Sequence, residues 1–266
     1  MLVILSAVLG YLIEAREFSW ITLLGVLGGG LLITSASNGI NQILERDLDK
    51  LMKRTMSRPL PMQKMTVKQA TILVIIMGMA GTAILLIWTN WLCTLLSLGS
   101  LLIYSFIYTP MKRSTPLAVF VGALPGALPP LLGCVAASGK ISFMAMLLFA
   151  MQFMWQFPHF WAIAWKLDED YKKAGFNLLP YPTGHSKQNA FQILVYNLML
   201  IPVSALPWIF DVVAPLTGAL VVICSVVFCI PAVWLYIRCD MKSATQLMFA
   251  SFVYLPVTQL IILFNP

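Results

Sequence analysis

From Ala70 to Trp88 the chain carries no charged side chain. A run of that length is what a helix needs to cross the hydrocarbon of a bilayer, about 20 residues. It is one of nine such stretches. The apolar part of Met1 to Ile13 is shorter and reads as the second half of a first helix. The rest are Trp20 to Leu44, Ala70 to Trp88, Leu92 to Tyr108, Leu117 to Ala137, Ile141 to Trp165, Asn189 to Phe210, Val212 to Tyr236 and Ala244 to Phe264. With 60% hydrophobic and 10% charged residues, against roughly 25% charged in soluble domains, the expected class is an all-α, polytopic membrane protein. Its architecture is a single domain, residues 1–266, of nine transmembrane helices around a central cavity open to the cytoplasm. Backbone groups in lipid must be satisfied internally, which leaves helices as the form for these runs.

The formal net charge is +7. The loops after helices two, four, six and eight hold seven, two, four and two Lys or Arg, which leaves Arg16 and Lys140 for the other side. That asymmetry puts the even loops and the N-terminus in the cytoplasm and the C-terminus outside. It accounts for the basic balance without nucleic acid. The five cysteines form no CxxC pair and read as small apolar helix residues. The N-terminus has neither the basic region nor the cleavage site of a signal peptide. Helix five carries Pro125, Pro129 and Pro130 and is expected to be broken there.

The charges concentrate between Asn41 and Pro61. Asn41, Glu45 and Asp49 are four apart and share a helix face. An amide and two carboxylates in a row offer oxygen ligands to a hard cation such as Mg2+. Asp47 points elsewhere and has Arg46, Lys50 and Lys53 as neighbours. Lys53, Arg54 and Arg58 follow, and arginine forks match phosphate oxygens. Positive-inside anchoring to acidic lipid is the plainer role for these three. Lys112 and Arg113 make a second basic site on the same membrane face. A second acidic run, Asp168-Glu169-Asp170, precedes Lys172 and Lys173. It is either an ordinary solvated loop or the other half of a site in which two acidic clusters hold metal around one diphosphate. His159 lies among Trp155, Phe157, Phe160 and Trp161. It is either satisfied by a backbone carbonyl or faces a porphyrin, for which histidine is a usual iron ligand. His185 reads as exposed.

With these residues in place the chain resembles the intramembrane (UbiA-type) prenyltransferase superfamily, and within it the branch that farnesylates protohaem IX. The resemblance rests on ERDLDKLMKRTMSRPLP near residue 45, YTPMKRSTPLAVFVGALPGALPPLLG from Tyr108 to Gly133, and WQFPHFWAIAWKLDEDYKKAGFNLLP from Trp155 to Pro180. The third stretch is the most specific. The resemblance implies transfer of a farnesyl group from farnesyl diphosphate to a vinyl group of haem B, giving haem O and diphosphate, with Mg2+ as cofactor. It implies a first metal motif at Asn41, Glu45 and Asp49, and a second at Asp168, Asp170 and Lys173. It implies diphosphate contacts from Arg54, Arg58, Lys112 and Arg113, and a haem-side place for His159. Lys53 joins the diphosphate set on the phosphate reading of its cluster. Further implied are a plasma (inner) membrane location, a lipid environment, and a haem A synthase or terminal oxidase assembly factors as partners. Glu45 departs from the aspartate that many members carry. The chain also begins inside helix one, so the family's usual basic segment and first half-helix are expected to be missing. Two other readings stay open: prenylation of an aromatic acid or quinone precursor, and membrane transport through broken helix five and polar helix two.

Overall fold

The computed structural model describes residues 2–264, and every regular element among them is helical. In chain order these are α1 (Leu2–Glu14), α2 (Trp20–Leu44), α3 (Arg46–Asp49), α4 (Val67–Trp88) and α5 (Trp91–Leu102). A π-helical segment follows (Ile103–Tyr108), then α6 (Thr109–Met111), α7 (Ala118–Ser138), α8 (Phe143–Lys166), α9 (Asp168–Lys173), α10 (Lys187–Ile209), α11 (Pro215–Arg238) and α12 (Met241–Phe264). Seven of the described helical stretches are long and apolar enough to cross a membrane. α8 is as long as these, but Gln152, Gln156, Pro158 and His159 dilute its apolar character. α1 has 13 residues.

Helix starts follow the local chemistry. Ser19, Thr66, Asn90, Ser142 and Ser186 each accept a backbone N–H of the first turn, and Thr66 with Gln69 forms a full capping box. Small residues set the closest helix contacts. A Cβ on Gly133 would fall 2.0 Å from the Ala7 carbonyl oxygen, and one on Gly10 would fall 2.2 Å from that of Pro130. This seats α1 directly on α7, the small-residue packing of membrane bundles.

Helix α7 is a correction to the sequence reading. It runs unbroken through Pro125, Pro129 and Pro130. Each proline lacks an N–H and so leaves the carbonyl four residues earlier without its helical donor. The Gly126 carbonyl, orphaned by Pro130, accepts from Gln152 Nε2 at 2.8 Å. The Pro125 carbonyl, orphaned by Pro129, lies 3.5 Å from the Ser100 hydroxyl. Neighbouring helices thus supply donors to two of the three orphaned carbonyls, and the helix survives. Gln152 is itself held by Ser6 at 2.5 Å and lies 3.3 Å from Gln259 Nε2, which joins α1, α8 and α12 at one polar point.

Replacing Gln152 by Leu should lower stability by about 1–3 kcal/mol, the usual cost of an unsatisfied buried polar group. Adding Pro130→Ala restores an N–H for the Gly126 carbonyl and should recover part of that loss. Thermal unfolding in detergent would measure both; equal stability of the wild type and Gln152→Leu would contradict the role given to this bond.

Candidate functional site

Helix α2 ends where its apolar sequence does. Glu45 is the hinge, with φ −104° and ψ 9°, and α3 begins one residue later. The four-residue spacing survives the hinge. The Glu45 N–H donates to the Asn41 carbonyl at 2.9 Å, and the Asp49 N–H to the Glu45 carbonyl at 2.8 Å. Asn41, Glu45 and Asp49 therefore stack along one face, and all three line a cavity of about 470 Å³. Asn38, Gln42, Arg54, Arg58, Tyr104, Tyr108, Lys112 and Tyr171 also line it.

Both carboxylates are buried and both are paired. Asp49, 0% exposed, accepts from Arg58 Nη1 at Oδ1 and Oδ2, at 3.0 and 2.8 Å. Glu45 Oε1 lies 2.6 Å from Lys112 Nζ, and its Oε2 accepts from Asn41 Nδ2 at 2.9 Å. Asn41 Nδ2 also lies 3.2 Å from the Thr109 hydroxyl. Lys112 Nζ sits 5.1 Å from the Tyr108 ring centroid and 5.3 Å from that of Phe176, within reach of a cation–π interaction. Burial pulls the Lys112 ammonium below the usual lysine range, and the Glu45 carboxylate opposes that pull. Burial pushes the Tyr171 phenol up, so it stays a hydrogen-bond donor.

The π-helical segment has no clear warning in the sequence. The Thr109 N–H and hydroxyl both donate to the Tyr104 carbonyl, the hydroxyl at 2.8 Å. The wider turn precedes Pro110, whose ring would collide with the carbonyl four residues back in a regular helix. It carries Tyr104 and Tyr108 to the cavity wall. π-turns inside helices often mark functional sites. The four-residue spacing of Tyr104, Tyr108 and Lys112 is the one signal from which Tyr104 could have been read.

Other expected residues lie elsewhere. Asp168 and Asp170 line a neighbouring cavity of about 260 Å³ with Lys53, Glu169, Lys173 and His185. Asp168 accepts from Lys172 at 2.6 Å, and Asp170 from Lys173 at 3.3 Å. Asp170 also accepts from the Arg54 backbone N–H at 3.4 Å, so the two acidic segments touch. Partial desolvation raises the Asp170 carboxyl, but the bonds from Lys173 and from the Arg54 and Lys53 backbone outweigh it, and the net shift is downward. Arg113 is exposed and lies outside the cavity lining. Asp47 pairs outward with Arg46 and Lys50. His185 is exposed and stacks on Trp165 at 4.9 Å. His159 is buried at the α8–α12 contact, with Nδ1 2.7 Å from the Ser251 hydroxyl. Its neighbour Phe160 lines the main cavity and also an apolar one of about 250 Å³. Those two cavities share Asn38, Tyr104 and Phe160.

Among the described residues no three His, Cys, Asp or Glu side chains come together as a metal cluster. What the main cavity offers is two carboxylates and an amide on one face, with three cations around them. That donor set fits Mg2+, which usually keeps water and takes phosphate oxygens as further ligands instead of an all-protein cage.

An acid row and a basic rim line one cavity inside an all-helical bundle, and that cavity shares Asn38, Tyr104 and Phe160 with an apolar one. The chain belongs to the UbiA prenyltransferase family, whose profile matches residues 3–254. It is 48% identical over 256 residues to Protoheme IX farnesyltransferase of Cytophaga hutchinsonii, covering 96% of this chain and 90% of that one. It is 41% identical to the protein of the same name from Christiangramia forsetii, covering 97% and 87%. The fold is similar to that of a digeranylgeranylglyceryl phosphate synthase, with a TM-score of 0.80 at 19% identity over 99% of this chain and 92% of that one. It is also similar to a UbiA homologue from Archaeoglobus fulgidus solved with GPP and Mg2+, with a TM-score of 0.71 at 16% identity over 97% and 94%.

Arg58→Ala would strip the partner from a fully buried carboxylate. Such breaks cost about 3–5 kcal/mol, discounted here to about 1–3 kcal/mol because Arg58 is itself partly solvated. Asp49→Asn added to Arg58→Ala should recover part of the loss. A double-mutant cycle on thermal unfolding would check it; strictly additive losses would contradict the pairing.

Proposed function

We propose that the chain is a haem O synthase: it transfers the farnesyl group of farnesyl diphosphate to a vinyl group of haem B. The observation that carries the reading is the stacking of Asn41, Glu45 and Asp49 opposite Arg54, Arg58 and Lys112 in one cavity. The similarity to the Protoheme IX farnesyltransferases, with most of each chain covered, selects the substrates.

In this reading Asn41, Glu45 and Asp49 hold Mg2+, with Asp168 and Asp170 completing the site from the adjoining segment. Mg2+ supplies positive charge that stabilises the departing diphosphate. Arg58 and Lys112 now rest on the carboxylates. With Mg2+ and diphosphate bound, Glu45 and Asp49 would hold the metal, and Arg54, Arg58 and Lys112 would be free to donate to phosphate oxygens. Lys53, Arg113 and Lys173 border this region and draw the anion in by charge. The Tyr171 phenol, kept protonated, is a further donor to phosphate oxygen.

The farnesyl chain lies in the apolar cavity that shares Tyr104 and Phe160 with the diphosphate site. Its walls, among them Ile33, Pro125, Pro129 and Leu132, keep water from C1 while the C–O bond breaks. The vinyl group of haem B then forms the new C–C bond to C1. Water adds to the resulting haem-side cation and loses a proton. The products are haem O, diphosphate and that proton, so no protein nucleophile is needed. His159 stands beside Phe160 as the haem-side residue. The protein is a single intramembrane domain of nine passes in the inner membrane, with the acidic segments facing the cytoplasm. The charge asymmetry of its loops supports that orientation.

Cells expressing the wild type should yield extractable haem O. Glu45→Gln and Asp49→Asn, at equal expression, should each reduce it at least about 100-fold, the scale seen when a group that stabilises transition-state charge is removed. Normal haem O from both variants would defeat the metal assignment.

A further inference from the structure

The lining of the apolar cavity includes one continuous strip of α2. Gly30, Ile33, Thr34, Ser37 and Asn38 all contribute to it, and residues spaced three and four apart in this way form one helix face. The strip has a defined start, because Asn38, with Tyr104 and Phe160, also lines the acid-row cavity. Its other end is Gly30, which precedes Asn38 in α2 by about 12 Å along the axis at the usual helical rise.

Gly30 differs from three other glycines of this helix. A Cβ on Gly25, Gly29 or Gly39 would fall 2.9 Å from the Trp88 Cβ, 2.6 Å from the Leu85 Cγ or 2.5 Å from the Val74 Cγ2, so those glycines let α4 approach. A Cβ on Gly30 would meet only the Ile4 Cδ1, at 3.7 Å, which is ordinary contact. Gly30 therefore has room for a side chain, and because it lines the cavity, a long one there would take up cavity space. Gly28 also has nothing within 4 Å of its Cβ position among the described residues, but it lies outside this lining.

We infer that Gly30 is a specificity-determining residue: its missing side chain keeps the far end of the cavity open for the third isoprene unit of the prenyl donor. This rests on the prenyl diphosphate reading of the proposed function, which puts C1 where the two cavities share residues. With C–C bonds of about 1.5 Å at tetrahedral angles, an extended farnesyl chain runs about 14 Å from C1 and a geranyl chain about 9 Å. Only the longer chain passes the level of Gly30. Side-chain bulk added at this level blocks the third unit and leaves space for the first two.

The test uses the full chain purified in detergent with Mg2+ and haem B, and compares kcat/KM for farnesyl and geranyl diphosphate, with products identified by mass. Gly30→Leu should lower the farnesyl-to-geranyl ratio of kcat/KM at least about tenfold, the scale on which an apolar pocket discriminates by a methylene. Gly30→Ala, whose methyl sits in ordinary contact with Ile4, should keep the fold and move the ratio the same way by less. Gly28→Leu adds the same side chain to the same helix outside the cavity and should leave the ratio at its wild-type value. An unchanged ratio in Gly30→Leu would overturn the assignment. So would equal losses toward both donors, which mark a merely structural glycine, or an equal shift in Gly28→Leu. Should Gly30→Leu fail to fold, an unchanged ratio in Gly30→Ala would overturn it instead. A wild type that prenylates haem B with neither donor would sink the functional reading as a whole. A wild type that forms haem O while Gly30→Leu keeps its ratio would sink the role of Gly30 alone.

Discussion

Two buried carboxylates, each held by a cation, are the constraint on which the rest of the site depends. Ionised groups at membrane depth are costly and persist only when paired or wetted. Asp49 is clasped by two bonds from Arg58, and Glu45 lies against Lys112. The Glu45–Lys112 pair joins distant segments, since Glu45 ends the second helix and Lys112 follows the π-helical turn; the Asp49–Arg58 pair ties the acid row to the loop just after it. The pairs therefore fix the position of the acid row and of the basic rim together.

The bundle around this site obeys the same rule in its neutral groups. Three prolines in α7 would leave carbonyls unsatisfied in lipid, and Gln152 and Ser100 answer two of them from neighbouring helices. Gly10 and Gly133 let α1 approach close enough for Ser6 to reach Gln152. The polar centre of the bundle is thus a consequence of the prolines. It lies behind the apolar cavity, whose lining includes Pro125, Gly126 and Pro129.

The sequence carried the helical segments well, because bilayer thickness and charge-free runs leave few alternatives. α2 has the same limits in sequence and structure, and most other helices agree within a few residues. It also carried the row from Asn41 to Asp49, since spacing of four survives even through the Glu45 hinge. Proline misled the reading of α7, because its breaking effect depends on donors from other helices that one segment cannot reveal. The π-helical segment and Tyr104 were hidden for a similar reason: local widening leaves no composition mark. Lys112 and Arg113 look alike in sequence, yet the fold buries the first beside Glu45 and leaves the second exposed. The tie between Arg54 and Asp170 spans 116 residues, beyond any local pattern.

The most direct measurement is the product mass formed by the purified protein from farnesyl diphosphate and haem B, with Mg2+ present and with Mg2+ chelated. The account predicts haem O and released diphosphate only when Mg2+ is present, and neither when it is removed. Haem O formed at the same rate without a divalent cation would contradict the role given to Asn41, Glu45 and Asp49, and a protein that leaves haem B unchanged under both conditions would contradict the proposed reaction itself.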